Sequence, residues 1–479
     1  MSAEGQNFDV AVLGAGPAGA EAAIAAREAG LTVTLIDEQS RAGGQIWRAP
    51  FFQPEQEEIR KSPDLADGER MRERLANSGA KTLFGHRLWF AAPSLSLSTV
   101  AADGPHWMSA RAFVIAAGTT ERIVPMPGVT LPGVVGLAAT TILLKAHGVI
   151  PGGRVLVAGV GPLVYSVAAG ICQAGGSVAA VVDLSRPSEW LAHLPALAGR
   201  PDLLWRGLKW AFALKTAGVP MRFGHTVTAI EGDTRVKSAR IARVDASWQP
   251  LEQIEQIDVS CVSIGHGLTP ATETARLIGV PHSFQAALGG FVPELHADRA
   301  TALPGVYIAG DCAGISGAAA AQLSGRLAGI RAAFDLGALD AVEFERRAGP
   351  VRAALKRADR FGQAISSLMT VRPGLAQAMP RETVVCRCED VTRAEIDRAV
   401  LAGACDVNQL KSTTRCGMGP CQGRICSEAA GDLVAIASSR TRTCAGQWTA
   451  RAPLRPLTVS ELVGAYEYDD IPKITPLPG

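Results

Sequence analysis

The sequence predicts an α/β protein with two βαβ units, each opening on a glycine-rich turn, followed by a small helical module rich in cysteine. Three observations carry this. The apolar run Phe8–Leu13 leads into Gly14-Ala15-Gly16-Pro17-Ala18-Gly19, and Arg154–Ala158 leads into Gly159-Val160-Gly161-Pro162-Leu163-Val164. Seven of the ten cysteines fall after residue 385. At 479 residues the chain exceeds the roughly 250–300 that one core serves, so two or three domains are expected.

In the first unit the strand, the turn, an alanine-rich helix to about Ala29 and a second strand Leu31–Ile36 ending in Asp37-Glu38 form the dinucleotide fingerprint in its required context. Gly14 permits the tight turn, Gly16 lets backbone N–H groups reach a pyrophosphate, and Gly19 allows close helix–strand packing. Pro17 and Ala18 open the helix, whose N-terminus offers partial positive charge to phosphates. Asp37 is placed to accept from ribose hydroxyls, with Glu38 as a substitute.

The second unit departs from the fingerprint. Val164 replaces the third glycine, and Ser166 stands where an acid is usual. A valine at the helix–strand contact pushes the helix away from the ideal pyrophosphate cradle. NAD(P), another nucleotide such as ATP or ADP, and a domain kept for packing remain the alternatives. Trp190, Trp205 and Trp210 stand among leucines at helical spacings within Ser188–Lys215, which reads as an amphipathic helix used for core or subunit contact.

The third feature is a pair, Cys386 and Cys388, then a helix of about Arg393–Ala402, then the evenly spaced Cys416, Cys421 and Cys426. Close thiolates brought together by a helical stretch suit iron–sulfur or zinc ligation. The even spacing leaves the second pair undecided.

Composition narrows the rest. Charged residues are 19% against about 25% in a typical domain, which implies broad buried faces, subunit contacts included. Lys+Arg and Asp+Glu nearly cancel at 47 against 45, and no basic stripe with aromatics occurs, which speaks against nucleic-acid binding. Val155–Val182 carries no charge, but Gly159, Gly161, Pro162, Gly175 and Gly176 cut it into a βαβ unit, so no transmembrane segment is expected. The polar Met1–Asn7 shows no signal peptide, and a cytoplasmic protein is expected, with any membrane association at the inner face through the respiratory chain.

Several segments resemble a known family. Arg41-Ala42-Gly43-Gly44-Gln45-Ile46 resembles the loop after the second strand of glutathione-reductase-like flavoproteins with two dinucleotide-binding domains, and Phe113–Thr119, with Ala117 and Gly118, resembles their strand returning to the cofactor. Val306–Asp311 resembles their strand ending in Gly-Asp, so the resemblance implies FAD in the first site, with Gly310 beside it and Asp311 on the ribityl chain. Leu88 lies where such proteins contact adenine through backbone.

The cysteine segment resembles the bacterioferritin-associated-ferredoxin-like [2Fe–2S] domain, whose Gly-Met-Gly-x-Cys-Gln-Gly-x-x-Cys pattern maps onto Cys421 and Cys426. The resemblance therefore implies ligation by Cys386, Cys388, Cys421 and Cys426, with Cys416 an ordinary buried thiol and a zinc knuckle as the alternative. The expected domains are 1–125 and 286–345 for FAD, an inserted degenerate domain at 126–285, a helical linker at 346–380, the [2Fe–2S] domain at 381–440 and a tail at 441–479.

Nearly the whole chain resembles the larger (alpha or A) subunits of opine oxidases, D-hydroxyproline dehydrogenase and hydrogen cyanide synthase. This implies an electron-transfer subunit of a multi-subunit amine or amino-acid dehydrogenase feeding the respiratory chain. It also implies an FAD-containing beta subunit of glycine- or sarcosine-oxidase type, room for an FMN at a subunit interface, and in some cases a small ferredoxin-like gamma subunit. No redox Cys-x-x-Cys stands beside the flavin fingerprint, and His266, a lone loop histidine, is weighed as packed rather than catalytic. A self-sufficient NAD(P)H-dependent reductase and a scaffold with structural cofactors are the competing classes.

Overall fold

The computed structural model describes residues 6–51 and 63–462; Met1–Gly5 and the tail beyond 462 lie outside the described residues. The first unit runs β1 (Gln6–Leu13), α1 (Pro17–Glu28), β2 (Val33–Asp37), α2 (Pro63–Asn77) and β3 (Lys81–Phe84), then the meander β4 (Arg87–Ala91), β5 (Ser96–Ala101) and β6 (Gly104–Ile115). They form one sheet in the order β3-β2-β1-β6-β5-β4, with β1 parallel to both neighbours. Val10, Ala11 and Val12 are fully buried, as expected of a parallel strand covered on both faces.

The chain leaves along β7 (Thr119–Glu121) into a second α/β unit: β8 (Val134–Gly136), α3 (Leu137–His147), β9 (Arg154–Gly159), α4 (Pro162–Gln173) and β10 (Ser177–Asp183). Three helices follow, α5 (Pro187–Ala192), α6 (Leu194–Leu197) and α7 (Pro201–Thr216), where the spacing predicts one. Each has a proline in its first turn, where the missing N–H is harmless but a continuing helix would need it. The unit ends with β11 (Met221–Phe223), β12 (His225–Glu231), β13 (Ser238–Val244), β14 (Pro250–Asp258) and β15 (Cys261–Gly265). Its main sheet has the order β11-β10-β9-β15-β8, and β12-β13-β14 forms a separate antiparallel sheet. β16 (Leu268–Pro270) pairs antiparallel with β7, so the outgoing and returning chains form a two-stranded neck.

Past the neck come α8 (Glu273–Leu277), the hairpin β17 (His282–Gln285) and β18 (Gly290–Pro293), and β19 (Val306–Ile308), which joins β6 in parallel. The following α9 (Ala318–Asp335) packs on α1 so closely that a Cβ at Gly325 or Gly329 would collide with the carbonyl oxygens of Ala18 or Ala22. α10 (Ala341–Leu368) and α11 (Pro373–Gln377) lead to the cysteine module: β20 (Val384–Cys386), β21 (Val391–Thr392), α12 (Arg393–Leu401), α13 (Val407–Thr414), α14 (Ser427–Ala437) and α15 (Arg442–Ala445). Thr392 and Glu395 form a capping box on α12, and Asp406 caps α13.

The segment after 440, expected as a tail, is integral to the module. Ala445 and Trp448 lie in its core, and Leu454 N–H donates to the Trp89 carbonyl on β4 at 2.8 Å. Among the described residues no helix is long and apolar enough to cross a membrane.

Candidate functional site

Two of the three glycines in the first turn are required by the chain itself. Gly14 has φ +96° and a Cβ there would collide with the Ala116 carbonyl oxygen; a Cβ at Gly19 would collide with the Gly14 carbonyl oxygen. Gly16 differs. Its backbone is extended (φ −73°, ψ −177°), and a Cβ would meet only Gly44 Cα at 3.6 Å, an ordinary contact. Nothing in the protein demands a glycine there, whereas a ligand approaching the N-terminus of α1 would.

Other expected residues converge on this turn. Asp37 Oδ2 accepts from Ala15 N–H at 2.6 Å and its Oδ1 from Gln39 N–H at 2.7 Å, so the carboxylate braces the loop; burial raises its pKa, opposed by those hydrogen bonds. A Cβ on Gly44 would lie 2.9 Å from Gly16 Cα, and one on Gly310 would lie 2.7 Å from Ala18 Cβ. Ala117 N lies 3.7 Å from the same Cβ position on Gly14, and the Gly118 carbonyl accepts from Ala271 N–H at 3.0 Å. Asp311 Oδ1 accepts from Ser316 and Gly317 N–H groups at 3.0 and 2.9 Å, at the start of α9. A cleft of about 360 Å³ opens here, lined by Gly310, Asp311, Ser316, Ser324 and Arg299. Two helix N-termini, an open Gly16 and a half-buried Asp311 fit a flavin dinucleotide.

Glu38 is exposed and paired with Arg455 at 3.5 Å, and Gln45 Oε1 accepts from Arg48 at 3.0 Å. Leu88 is buried in the sheet, opposite Thr99. His266 is buried with Nδ1 accepting from Val124 N–H at 3.1 Å, and burial pushes its pKa down to about 4, so it is a neutral, packed side chain.

The second turn is engaged by the chain. Gly161, where a pyrophosphate would approach, has Met369 Sδ only 2.5 Å from its Cβ position. Met369 follows α10, whose end is fixed by Ser367 Oγ to His193 Nε2 at 3.0 Å and by the Arg372–Glu189 ion pair. Asp183, at the ribose position, accepts from Tyr165 OH at 2.5 Å and from Ser185 N–H and OH at 2.8 Å, and burial raises its pKa to about 6. Val164 is fully buried among Val155, Val157 and Leu137. These residues do not fit a bound NAD(P).

In the cysteine module the sulfurs of Cys386, Cys416 and Cys426 lie within 4.8 Å of one another, all three residues buried. The neighbouring Cys416 and Cys426 thiols hold the Cys386 thiol far below its usual range. Cys388 and Cys421 form a neighbouring pair. The resemblance set Cys416 aside as an ordinary buried thiol; the fold places it inside the cluster of sulfurs. Gly419 wraps over Cys388, where a Cβ would sit 3.3 Å from its Sγ and collide with its Cβ. Five convergent free thiols, fenced by glycines, suit a thiolate-held metal or iron–sulfur group.

The module is fastened to the flavin-type body by half-buried ion pairs. Arg122 meets Glu428 at 3.1 Å, and Arg424 meets Glu273 at 3.0 Å. Between them lies a second cleft, of about 460 Å³, lined by Thr120, Thr269, Arg276, Gln422, Glu428 and Trp448. Arg276 also donates to the Trp448 carbonyl. Sequence reasoning missed Trp448, whose only signal was a tryptophan in a stretch taken for a tail.

The fold and site define a flavoprotein with two dinucleotide-type domains and an appended cysteine module. The family described as "Pyridine nucleotide-disulphide oxidoreductase" matches residues 8–334, and "Sarcosine oxidase A3 domain" matches 381–465. The opine oxidase A subunit of Rhizobium meliloti (strain 1021) is 35% identical over 475 residues, covering 96% of this chain and 99% of that protein. The HcnB subunit of hydrogen cyanide synthase from Pseudomonas protegens is 32% identical over 464 residues, covering 94% and 96%. The chain belongs to the family of A-type (alpha) subunits of FAD oxidoreductases that includes these proteins and the sarcosine oxidase alpha subunits. It spans 46% of the sarcosine oxidase alpha subunit of Corynebacterium sp. (strain P-1), at 25% identity. In fold it is similar to an L-proline dehydrogenase from P. horikoshii, with TM-score 0.71 and 21% identity, covering 96% of this chain and 80% of that one. Thioredoxin reductase of T. acidophilum, with TM-score 0.51 and 20% identity, matches 69% of this chain and 99% of its own.

Proposed function

We propose that this chain is the flavin and iron–sulfur electron-transfer subunit of a multi-subunit amine or amino-acid dehydrogenase, of opine, D-hydroxyproline or glycine type, that delivers electrons to the respiratory chain. FAD is held by the turn Gly14-Ala15-Gly16-Pro17-Ala18-Gly19, with Gly44, Ala117, Gly118 and Gly310 around it. Asp37 braces the turn, and Asp311 faces the ribityl position. A [2Fe–2S] cluster is held by Cys386, Cys388, Cys421 and Cys426, with Cys416 a buried thiol beside the Cys386 sulfur.

One observation carries this reading: the Gly16 cradle and the five-thiol module belong to a single body joined by the half-buried Arg122–Glu428 and Glu273–Arg424 pairs. Bound flavin interconverts two-electron and one-electron chemistry, and the cluster carries single electrons. The chain's own residues position and insulate: backbone N–H groups at Gly16 meet the pyrophosphate, and the thiols supply the cluster's ligands.

The substrate site lies on a partner subunit. Met369 against Gly161 closes the usual pyridine-nucleotide entrance, and His266 is committed to Val124. Trp205, Leu208 and Phe212 project from α7 with exposures of 61%, 61% and 69%, the surface on which we place the partner. Its type, an FAD-containing subunit like glycine or sarcosine oxidase, follows from the relatives. Rapid mixing of the purified chain with an opine, D-hydroxyproline or glycine tests the division of labour. No flavin reduction is expected without the partner; full reduction at a turnover-competent rate would place the substrate site on this chain.

A further inference from the structure

We infer that Trp448 donates its indole N–H to the sulfur core of the cluster and thereby raises its reduction potential, an inference that rests on the [2Fe–2S] reading of the cysteine module. Trp448 is 6% exposed, and its Nε1 is buried without a hydrogen-bond partner. Buried N–H groups without acceptors are rare, because each forfeits its bond to water. The ring lies inside the cysteine loop. A Cβ at Gly417 would come within 2.9 Å of Cε2, and one at Gly423 within 2.6 Å of Cδ1 and 2.7 Å of Nε1. The N–H edge therefore rests on Gly423, between Cys421 and Cys426, and the face on Gly417, next to Cys416.

The side chain is not free to turn toward solvent. Asn408 clamps the backbone on both sides, donating to the Gln447 carbonyl at 3.0 Å and accepting from Thr449 N–H at 2.9 Å. Arg276 holds the Trp448 carbonyl from the flavin side of the interface. Three loop carbonyls already accept: Gly419 from Gln422 N–H at 2.7 Å, Cys421 from Arg424 N–H at 3.2 Å and Gly423 from Ser427 N–H at 2.9 Å. Nε1 has no hydrogen-bond partner in the chain itself and sits on the loop between Cys421 and Cys426, so a cluster held there is the acceptor inferred for it. A donor to a cluster sulfur favours the reduced, more negative state, so it raises the potential.

The test is Trp448→Phe in the full chain, which keeps an aromatic ring in the loop and removes the N–H together with the pyrrole half of the indole. Iron and acid-labile sulfide are measured first, then an EPR-monitored redox titration is run. Iron should be retained and reduction should become about tenfold less favourable, a fall of about 59 mV for one electron. Full iron with an unshifted potential overturns the inference and leaves the cluster reading standing. Absence of iron and sulfide from the unsubstituted chain overturns both. Should the variant fail to fold, pulsed EPR on the reduced unsubstituted chain carrying ¹⁵N-labelled tryptophan decides: a ¹⁵N coupling to the cluster is expected, and its absence refutes the hydrogen bond.

Discussion

Gly16→Val separates what the ligand needs from what the fold needs. The native backbone at Gly16 is extended and a valine can adopt it; the nearest obstruction to a Cβ is Gly44 Cα at 3.6 Å. Gly16 is also the N-cap of α1, where valine is poorer than glycine by about 1 kcal/mol. The apo chain should therefore melt only about 2–4 °C lower. FAD is affected far more. Overpacking at the pyrophosphate costs about 1–3 kcal/mol, and losing a charge-assisted backbone hydrogen bond about 1.5–3, so affinity should fall roughly 10²- to 10⁴-fold. Flavin titration of the apo chain with a parallel thermal melt measures both. Gly19→Ala is the contrast, since its Cβ collides with the Gly14 carbonyl oxygen and the fold should suffer first. Stoichiometric FAD in Gly16→Val, or a melt as damaged as that of Gly19→Ala, would refute the reasoning.

Cys421→Ser and Cys426→Ser should abolish iron binding while Cys416→Ser retains it, measured as iron per chain; loss of iron in Cys416→Ser would move that residue into the ligand set. Glu121 is pushed up to about 7 by burial, despite N–H groups donated from the start of α3. Its folded pKa lies above the unfolded one, so its contribution is complete below about pH 4.5 and shrinks as pH rises through 7, by about 3 kcal/mol. Glu121→Gln should flatten that part of the apo stability–pH curve, and an unchanged slope would count against it. NADH should neither bind nor bleach the flavin, and Met369→Ala, which frees Gly161, is the variant in which binding should first become measurable by calorimetry.

The sequence was most legible where one local pattern dictates one geometry. The strand–turn–helix at Phe8–Glu28 and the helix expected at about Arg393–Ala402 are decided within a few residues, and both formed where expected, the second opened by a capping box. Ser188–Lys215 was legible as helical but not as three helices, because apolar spacing continues through Pro195 and Pro201 while the hydrogen-bond ladder does not. What stayed hidden depends on residues far apart in the chain. That Met369 would lie on Gly161, or that a residue beyond 440 would enter the cysteine loop, is set by how α10 and the last described segment pack, and no periodicity encodes it. Cys416 is a case of its own. Its spacing from Cys421 matches that of Cys421 from Cys426, so spacing alone could not rank the three, and only the folded loop after α13 brings its sulfur beside Cys386.

The covered second nucleotide turn and the locked cysteine module bear on the same question, where electrons enter and where they leave. In a fold of this kind the inserted domain is positioned by its two-stranded neck, here β7 with β16, beside the flavin cradle. Arg122 follows β7 directly and Glu273 follows β16 closely, and these are the residues that grip Glu428 and Arg424 of the cysteine module. The neck thus serves as the module's docking edge, and its half-buried ion pairs fasten the two together. Such a joint holds the module at a fixed distance from the cradle. With the nucleotide turn covered by Met369, the neck on the proposed reading anchors the exit for single electrons. On that reading entry falls to a face that the module and the covered turn do not occupy, and the apolar side of α7, exposed at Trp205, Leu208 and Phe212, is the surface proposed for it.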